Sequence, residues 1–220
     1  QPFHIRMNAL KTTHQDPMQG QWQEVGQITT HLDSFSLDAT TFTHGDKRYL
    51  VWAQQDQQRR YNSALWIAEM DSPTSIKMPV TLLSEPTLPW EVQGYKVNEG
   101  ASVIKHGERI FITYSASATD HRYATGLLWA HKEADLLDSS SWQKSKTPLL
   151  ASDAKLGRFG PGHNSFTLAE DGKTWLMIYH SRDYKALQGS PLTDPNRHTR
   201  ARAIGFDAQG MLEVYPERPD

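Results

Sequence analysis

Three stretches decide how this chain is read: His44-Gly-Asp-Lys-Arg-Tyr-Leu-Val-Trp-Ala53, His106-Gly-Glu-Arg-Ile-Phe-Ile-Thr-Tyr-Ser-Ala116 and Asp171-Gly-Lys-Thr-Trp-Leu-Met-Ile-Tyr-His-Ser181. Each opens on a turn with glycine second, then runs into aromatic and β-branched residues. That is the pattern of a tight hairpin feeding a buried strand. The repeat glycines, Gly45, Gly107 and Gly172, lie 62 and 65 residues apart.

The flanks repeat as well. A short strand precedes each turn, at Leu37–Phe42, Asn98–Ile104 and Gly162–Leu168, and a third follows it, at Ser63–Met70, Tyr123–Ala130 and Ala201–Phe206. Trp90 and Trp142 are expected to open a fourth strand, and Trp22 holds the same place ahead of the first unit. Four strands per unit, stacked radially, describe an all-β propeller, with a β-sandwich as the alternative. No segment demands a helix; Lys132–Ser140 is the best candidate and reads equally well as a loop. A 220-residue chain holds about 3.5 to 4 such units in one domain spanning residues 1–220, so the ring is expected to be incomplete at its front.

Composition excludes several classes of function. A net charge of −2 offers no field for nucleic acid or anionic lipid. The chain has no cysteine, hence no disulfide framework or thiolate metal site. No run approaches the roughly 18 apolar residues of a membrane helix, and the first residues, Gln1 to Ile5, lack the basic head and apolar stretch of a signal peptide.

The repeat also says where chemistry should lie. The strand before each hairpin is expected to line the central channel, yet each carries an ionisable residue near its start: Asp38, Glu99 and His163. They stand 7, 8 and 9 residues before the repeat glycines. Burying such groups is costly unless they are paired, bound to metal or used. Small neighbours, Gly100-Ala101-Ser102 and Gly160-Pro-Gly162, leave room for a ligand. Glycoside hydrolysis needs a protonated donor for the leaving oxygen and a carboxylate acting across the sugar ring. Glu99 suits the donor, and Asp38 suits the tuning and orienting role. The plain alternatives are surface turns for the two acids and a satisfied core histidine for His163.

Around these residues the chain resembles glycoside hydrolase family 43. Ser36–Phe42 with Tyr49–Ala53 is similar to the family's second blade, Val97–Gly100 with Thr113–Ser117 to its third, and Gly160–Thr167 to its fourth. Arg197-His198-Thr199 with Asp207–Gly210 resembles its closing segment. The resemblance implies a five-bladed propeller that hydrolyses with inversion, Asp38 as pKa modulator and Glu99 as general acid. It implies Arg197 as a terminal-sugar ligand, with Arg200 and Arg202 close enough to compete for that register, and Phe35, Trp90 and Ser115 as further substrate contacts. It places His163 beside Ca2+ or another channel ion, directly or through water.

By the same resemblance the substrate is plant cell-wall arabinan or arabinoxylan, cut by an exo-acting α-L-arabinofuranosidase. Tyr114-Ser115-Ala116-Ser117 and Arg197-His198-Thr199-Arg200 lean that way. A β-xylosidase, a non-catalytic carbohydrate-binding propeller and a protein-interaction propeller are the alternatives. A secreted or periplasmic location is slightly favoured over a cytoplasmic one, and a homodimer across the open edge is an expected remedy for an incomplete ring. Two departures stand out. Ala101 replaces a common proline, and nothing before Asp38 matches the family's general-base aspartate. Asp16-Pro17 has the right spelling but lies in the loop that resembles the family's link after the first blade.

Overall fold

The computed structural model describes residues 5–217. Its strands are β1 (Asn8–Lys11), β2 (Gln23–Gln27), β3 (Ser36–His44), β4 (Lys47–Gln54), β5 (Ala64–Ser72), β6 (Ser75–Ile76), β7 (Thr81–Ser84), β8 (Asn98–His106), β9 (Arg109–Ala116), β10 (Ala124–His131), β11 (Gln143–Lys144), β12 (Phe159–Leu168), β13 (Trp175–Arg182), β14 (His198–Phe206) and β15 (Leu212–Val214). Among the described residues the only helical pieces are 3-10 turns at Pro89–Glu91 and Ser139–Ser141. The second of these occupies the end of the one sequence stretch with helical leanings.

The strands form three antiparallel sheets and a ribbon. Sheet one runs β3-β4-β5-β6, with β7 also on β5; sheet two runs β8-β9-β10-β11; sheet three runs β12-β13-β14-β15; β1 pairs with β2. The repeat glycines sit in the first hairpin of each sheet with φ of +61°, +56° and +66°, a region glycine enters without steric cost.

The middle strands read as continuous apolar runs because both their faces are covered. In β9, Ile110, Ile112, Tyr114 and Ala116 pack against Val51, Leu65 and Ile67 of sheet one, while Phe111 joins Met177, Tyr179 and Ile204 of sheet three. In β4, Leu50 and Trp52 turn the other way, towards Met7 and Ile28. Each such fully buried large side chain contributes about 1.5–3 kcal/mol. Stacked sheets with a shared apolar filling therefore fix the radial arrangement, and the first strands converge: β3 touches β8, and β8 touches β12.

The fourth strands differ from the sequence expectation in one sheet. Trp22 and Trp142 do stand immediately before β2 and β11. Trp90 does not open a strand; β7 has already closed sheet one, and Trp90 lies in the following 3-10 turn. Pro89 suits the start of such a turn, where no backbone N–H is needed, so the aromatic pattern alone misplaces the strand.

Candidate active site

The inner strands are bulged at equivalent places. In β3 the register with β4 breaks between Leu37 and Thr40, in β8 with β9 between Glu99 and Ser102, and in β12 with β13 on both sides of Gly162. Asp38-Ala39, Gly100-Ala101 and His163-Asn164 are the doubled residues, and Asp38, Gly100 and His163 take left-handed φ of +55°, +61° and +49°. A left-handed conformation costs a non-glycine residue about 1–2 kcal/mol, and bulges of this kind re-aim side chains beside functional sites. The structural equivalents are thus Asp38, Gly100 and His163. Glu99 stands one residue earlier, cross-strand from Ser115, which corrects the equivalence drawn from ionisable residues at the similar offsets of 7, 8 and 9.

Gly100 lets the two neighbouring bulges meet. A Cβ there would lie 3.1 Å from His163 Cγ, so the imidazole packs on bare backbone. Asp38 feels the same two groups: His163 and the Gly100 backbone amide favour its charged form, but burial outweighs them and raises its pKa. Glu99 is also raised, first by burial and then by the Asp38 carboxyl, against the opposing pull of Tyr123, His163 and Arg197. Two carboxyls therefore share one pocket with a common tendency to hold protons.

The supporting groups are as informative. The Tyr123 hydroxyl donates to Glu99 Oε1 at 2.8 Å. The Ser115 hydroxyl accepts the His163 backbone N–H at 2.7 Å and is fully buried. Ser115 therefore holds the His163 bulge from beneath and is not exposed to a substrate, contrary to the sequence expectation. The His180 ring stacks on Tyr123, with centroids 5.6 Å apart and planes at 7°. Burial, then the nearby Arg197, pull its pKa down to about 4, so this imidazole is neutral.

Arg197 is exposed in the loop before β14 and neighbours Glu99 and His180 electrostatically. The competing arginines are committed elsewhere. Arg200 donates to Ser181 Oγ at 3.1 Å and pairs with Asp183, and Arg202 donates to the Tyr215 carbonyl at 2.8 Å. The loop that carries Arg197 is pinned by the buried pair Arg182–Asp194, 3.1 Å apart, and by Tyr184 on the Asp194 carboxylate.

Three further residues need placing. Trp90 stacks on Tyr114 with centroids 6.1 Å apart, its indole N–H donating to the Lys146 carbonyl at 3.1 Å. It thus packs, partly buried, against the shared apolar filling of sheets one and two, beside Tyr114, which alternates with Ser115 along β9. Phe35 is half-buried just before β3, with its carbonyl accepting the Gln55 N–H at 3.0 Å. Asp16 caps the β1–β2 turn, accepting from the Met18 backbone at 2.9 Å and the Gln19 side chain at 2.8 Å, and takes no part in the cluster.

Glu91, fully buried, accepts from the Thr87 and Leu88 backbones, Tyr114 Oη, Asn98 Nδ2 and Lys144 Nζ. Asn98, whose amide oxygen accepts from Ser84 at 2.7 Å, immediately precedes Glu99. Sequence reading gave no role to Glu91, Tyr123 or His180. Their partners are distant in the chain, and no local motif marks them. Among the described residues no group of three His, Asp or Glu side chains is arranged to hold a metal ion by itself. An ion beside His163 would be held by that imidazole and water.

The family model of glycosyl hydrolases family 43 matches residues 7–212. An extracellular exo-α-(1→5)-L-arabinofuranosidase from Streptomyces avermitilis is 50% identical over 206 residues, covering 94% of this chain and 43% of that protein. The α-L-arabinofuranosidase 43 of Humicola insolens is 49% identical, covering 99% and 46%. The crystal structure of the α-L-arabinofuranosidase from Lactobacillus brevis superposes with a TM-score of 0.95 at 45% identity, covering 99% of this chain and 67% of that one. The chain spans less than half the length of the two curated relatives.

Proposed function

Because the chain belongs to glycosyl hydrolases family 43, we propose that it carries the acid side of an α-L-arabinofuranosidase site, removing terminal arabinofuranosyl residues from arabinan- or arabinoxylan-type polysaccharide. The observation that carries this reading is the Glu99 carboxyl, buried beside Asp38 with its pKa raised. Glu99 gives its proton to the glycosidic oxygen as the bond to the anomeric carbon breaks. Asp38 disfavours a second negative charge nearby and so keeps that proton in place. Arg197, a planar fork without a protein partner among the described residues, suits a pair of sugar hydroxyls. Water adds to the anomeric carbon from the opposite face, giving inversion. We assign its activation to no residue of this cluster.

Identity of 42–50% to proteins named arabinofuranosidases favours arabinose over xylose. Relatives from two Streptomyces species are named extracellular, which supports a secreted protein acting on plant cell walls. The test is proton NMR of the product during hydrolysis of an α-1,5-linked arabino-oligosaccharide. The expected first signal is β-L-arabinose from the non-reducing end. Initial α-L-arabinose, or release only from β-xylosides, would refute the reading.

A further inference from the structure

Tyr123 is 1% exposed and held on all sides. Its ring lies parallel to neutral His180. Beneath it, Gly162 leaves the space the ring occupies; a Cβ there would come within 2.3 Å of Tyr123 Cε1. The hydroxyl is thereby fixed at 2.8 Å from one oxygen of Glu99, Oε1. We infer that Tyr123 is a positioning residue for Glu99: its hydrogen bond locks the rotation of the carboxyl and reserves Oε2 as the oxygen that carries the catalytic proton.

The reasoning follows from what a phenol can do. Burial and the facing Glu99 push Tyr123 deprotonation well above its ordinary value, so the hydroxyl keeps its proton and remains a donor. A donor at Oε1 is better satisfied by the acid's carbonyl oxygen than by its weakly accepting hydroxyl, which favours the proton on Oε2. When Oε2 gives up its proton to the leaving oxygen, the same hydrogen bond becomes charge-assisted and stronger. Tyr123 thus stabilises the carboxylate that forms in the transition state more than the acid it starts from. The other groups facing Glu99 are Asp38 from β3, His163 from β12 and Arg197 from the loop before β14, and none has a hydrogen bond to either oxygen among the described contacts. Neutral His180 carries no charge to compete.

This inference rests on Glu99 being the general acid, and the experiment separates the two. Tyr123→Phe keeps the ring and its stack on His180. Turnover of an unactivated arabinobiose, whose leaving oxygen needs the proton, is expected to fall by roughly 10- to 100-fold. Turnover of p-nitrophenyl α-L-arabinofuranoside, whose leaving group needs little protonation, is expected to fall only a few-fold, with KM nearly unchanged in both. Independently of turnover, carboxyl carbon-13 NMR should show the Glu99 midpoint moving up by about one pH unit, because a bond to the charged form is lost. Equal losses on both substrates with an unmoved midpoint would overturn the inference and leave Tyr123 a packing residue. If Glu99→Gln leaves arabinobiose hydrolysis intact, the general-acid reading falls and the inference falls with it, even where the carbon midpoint moves.

Discussion

Replacing Glu99 by Gln is expected to lower hydrolysis of an unactivated arabinofuranoside by about a thousandfold, within the range that general acids supply. The glutamine keeps the shape and the Tyr123 contact but has no acidic proton to give. The loss should be far smaller for a p-nitrophenyl leaving group. The pH profile carries the same signature. In the proposed role the active form of Glu99 is the protonated one, so the wild-type rate is expected to fall as pH rises through the raised pKa, and that alkaline limb to disappear in the variant. Stability should move the other way. A carboxyl whose folded pKa is raised favours folding below the unfolded value, and this contribution is lost as pH rises through the folded one. Above that window the ionised Glu99 opposes the fold, so Glu99→Gln is expected to unfold at a higher temperature than wild type at neutral pH. Thermal scans beside rate measurements check both halves. A variant that is slow because it is unfolded would show the opposite stability change.

The second large effect is expected from Glu91→Ala, about 3–5 kcal/mol of lost stability read by urea unfolding. Glu91 is fully buried and satisfies five donors at once. Removing it takes the carboxylate from the Lys144 ammonium, already desolvated and left with the Glu85 carbonyl, and strands the Tyr114 hydroxyl, which is 2.7 Å from Glu91 Oε1. Such a loss is a large share of the roughly 5–15 kcal/mol that holds a typical domain together. Asn98 loses a partner as well, so the start of β8, and Glu99 with it, should loosen before global unfolding. Hydrogen exchange at Glu99 and Gly100 reads that local change. Unchanged unfolding midpoints would mean that the network is not what anchors this strand.

These two residues also show where sequence reading succeeds and where it stops. The hairpin units were legible because their middle strands are buried on both faces and their turns need glycine at positive φ, both of which are local signatures. Asp38, Glu99 and His163 were legible as a group because polar residues broke an otherwise small or apolar inner strand. Their register was not. Strict counting, 7 residues back from the repeat glycine, makes Gly100 the equal of Asp38; Glu99, at 8, was matched to it by its charge, and the bulge that sets the two apart leaves no mark in the sequence. Glu91 and Tyr123 were not legible because each meets its partner across an intervening loop or strand. Glu91 lies 53 residues from Lys144 and Tyr123 lies 24 from Glu99. Trp90 shows a related limit: sequence expected it to open a strand, and it lies in a 3-10 turn, because an aromatic that packs against a sheet interface looks the same in sequence as one that starts a strand.

On the proposed reading, Asp38, Glu99, His163 and Arg197 face one sugar site at the starts of the inner strands. Its most direct test is an amide NMR titration of this chain with L-arabinose and, separately, D-xylose. L-arabinose is expected to shift the amides of Asp38, Gly100, His163 and Arg197 together, and D-xylose to do so more weakly. Shifts confined to the groove at the other ends of these strands, lined by Phe42, Lys105, Phe166 and Trp175, would contradict it.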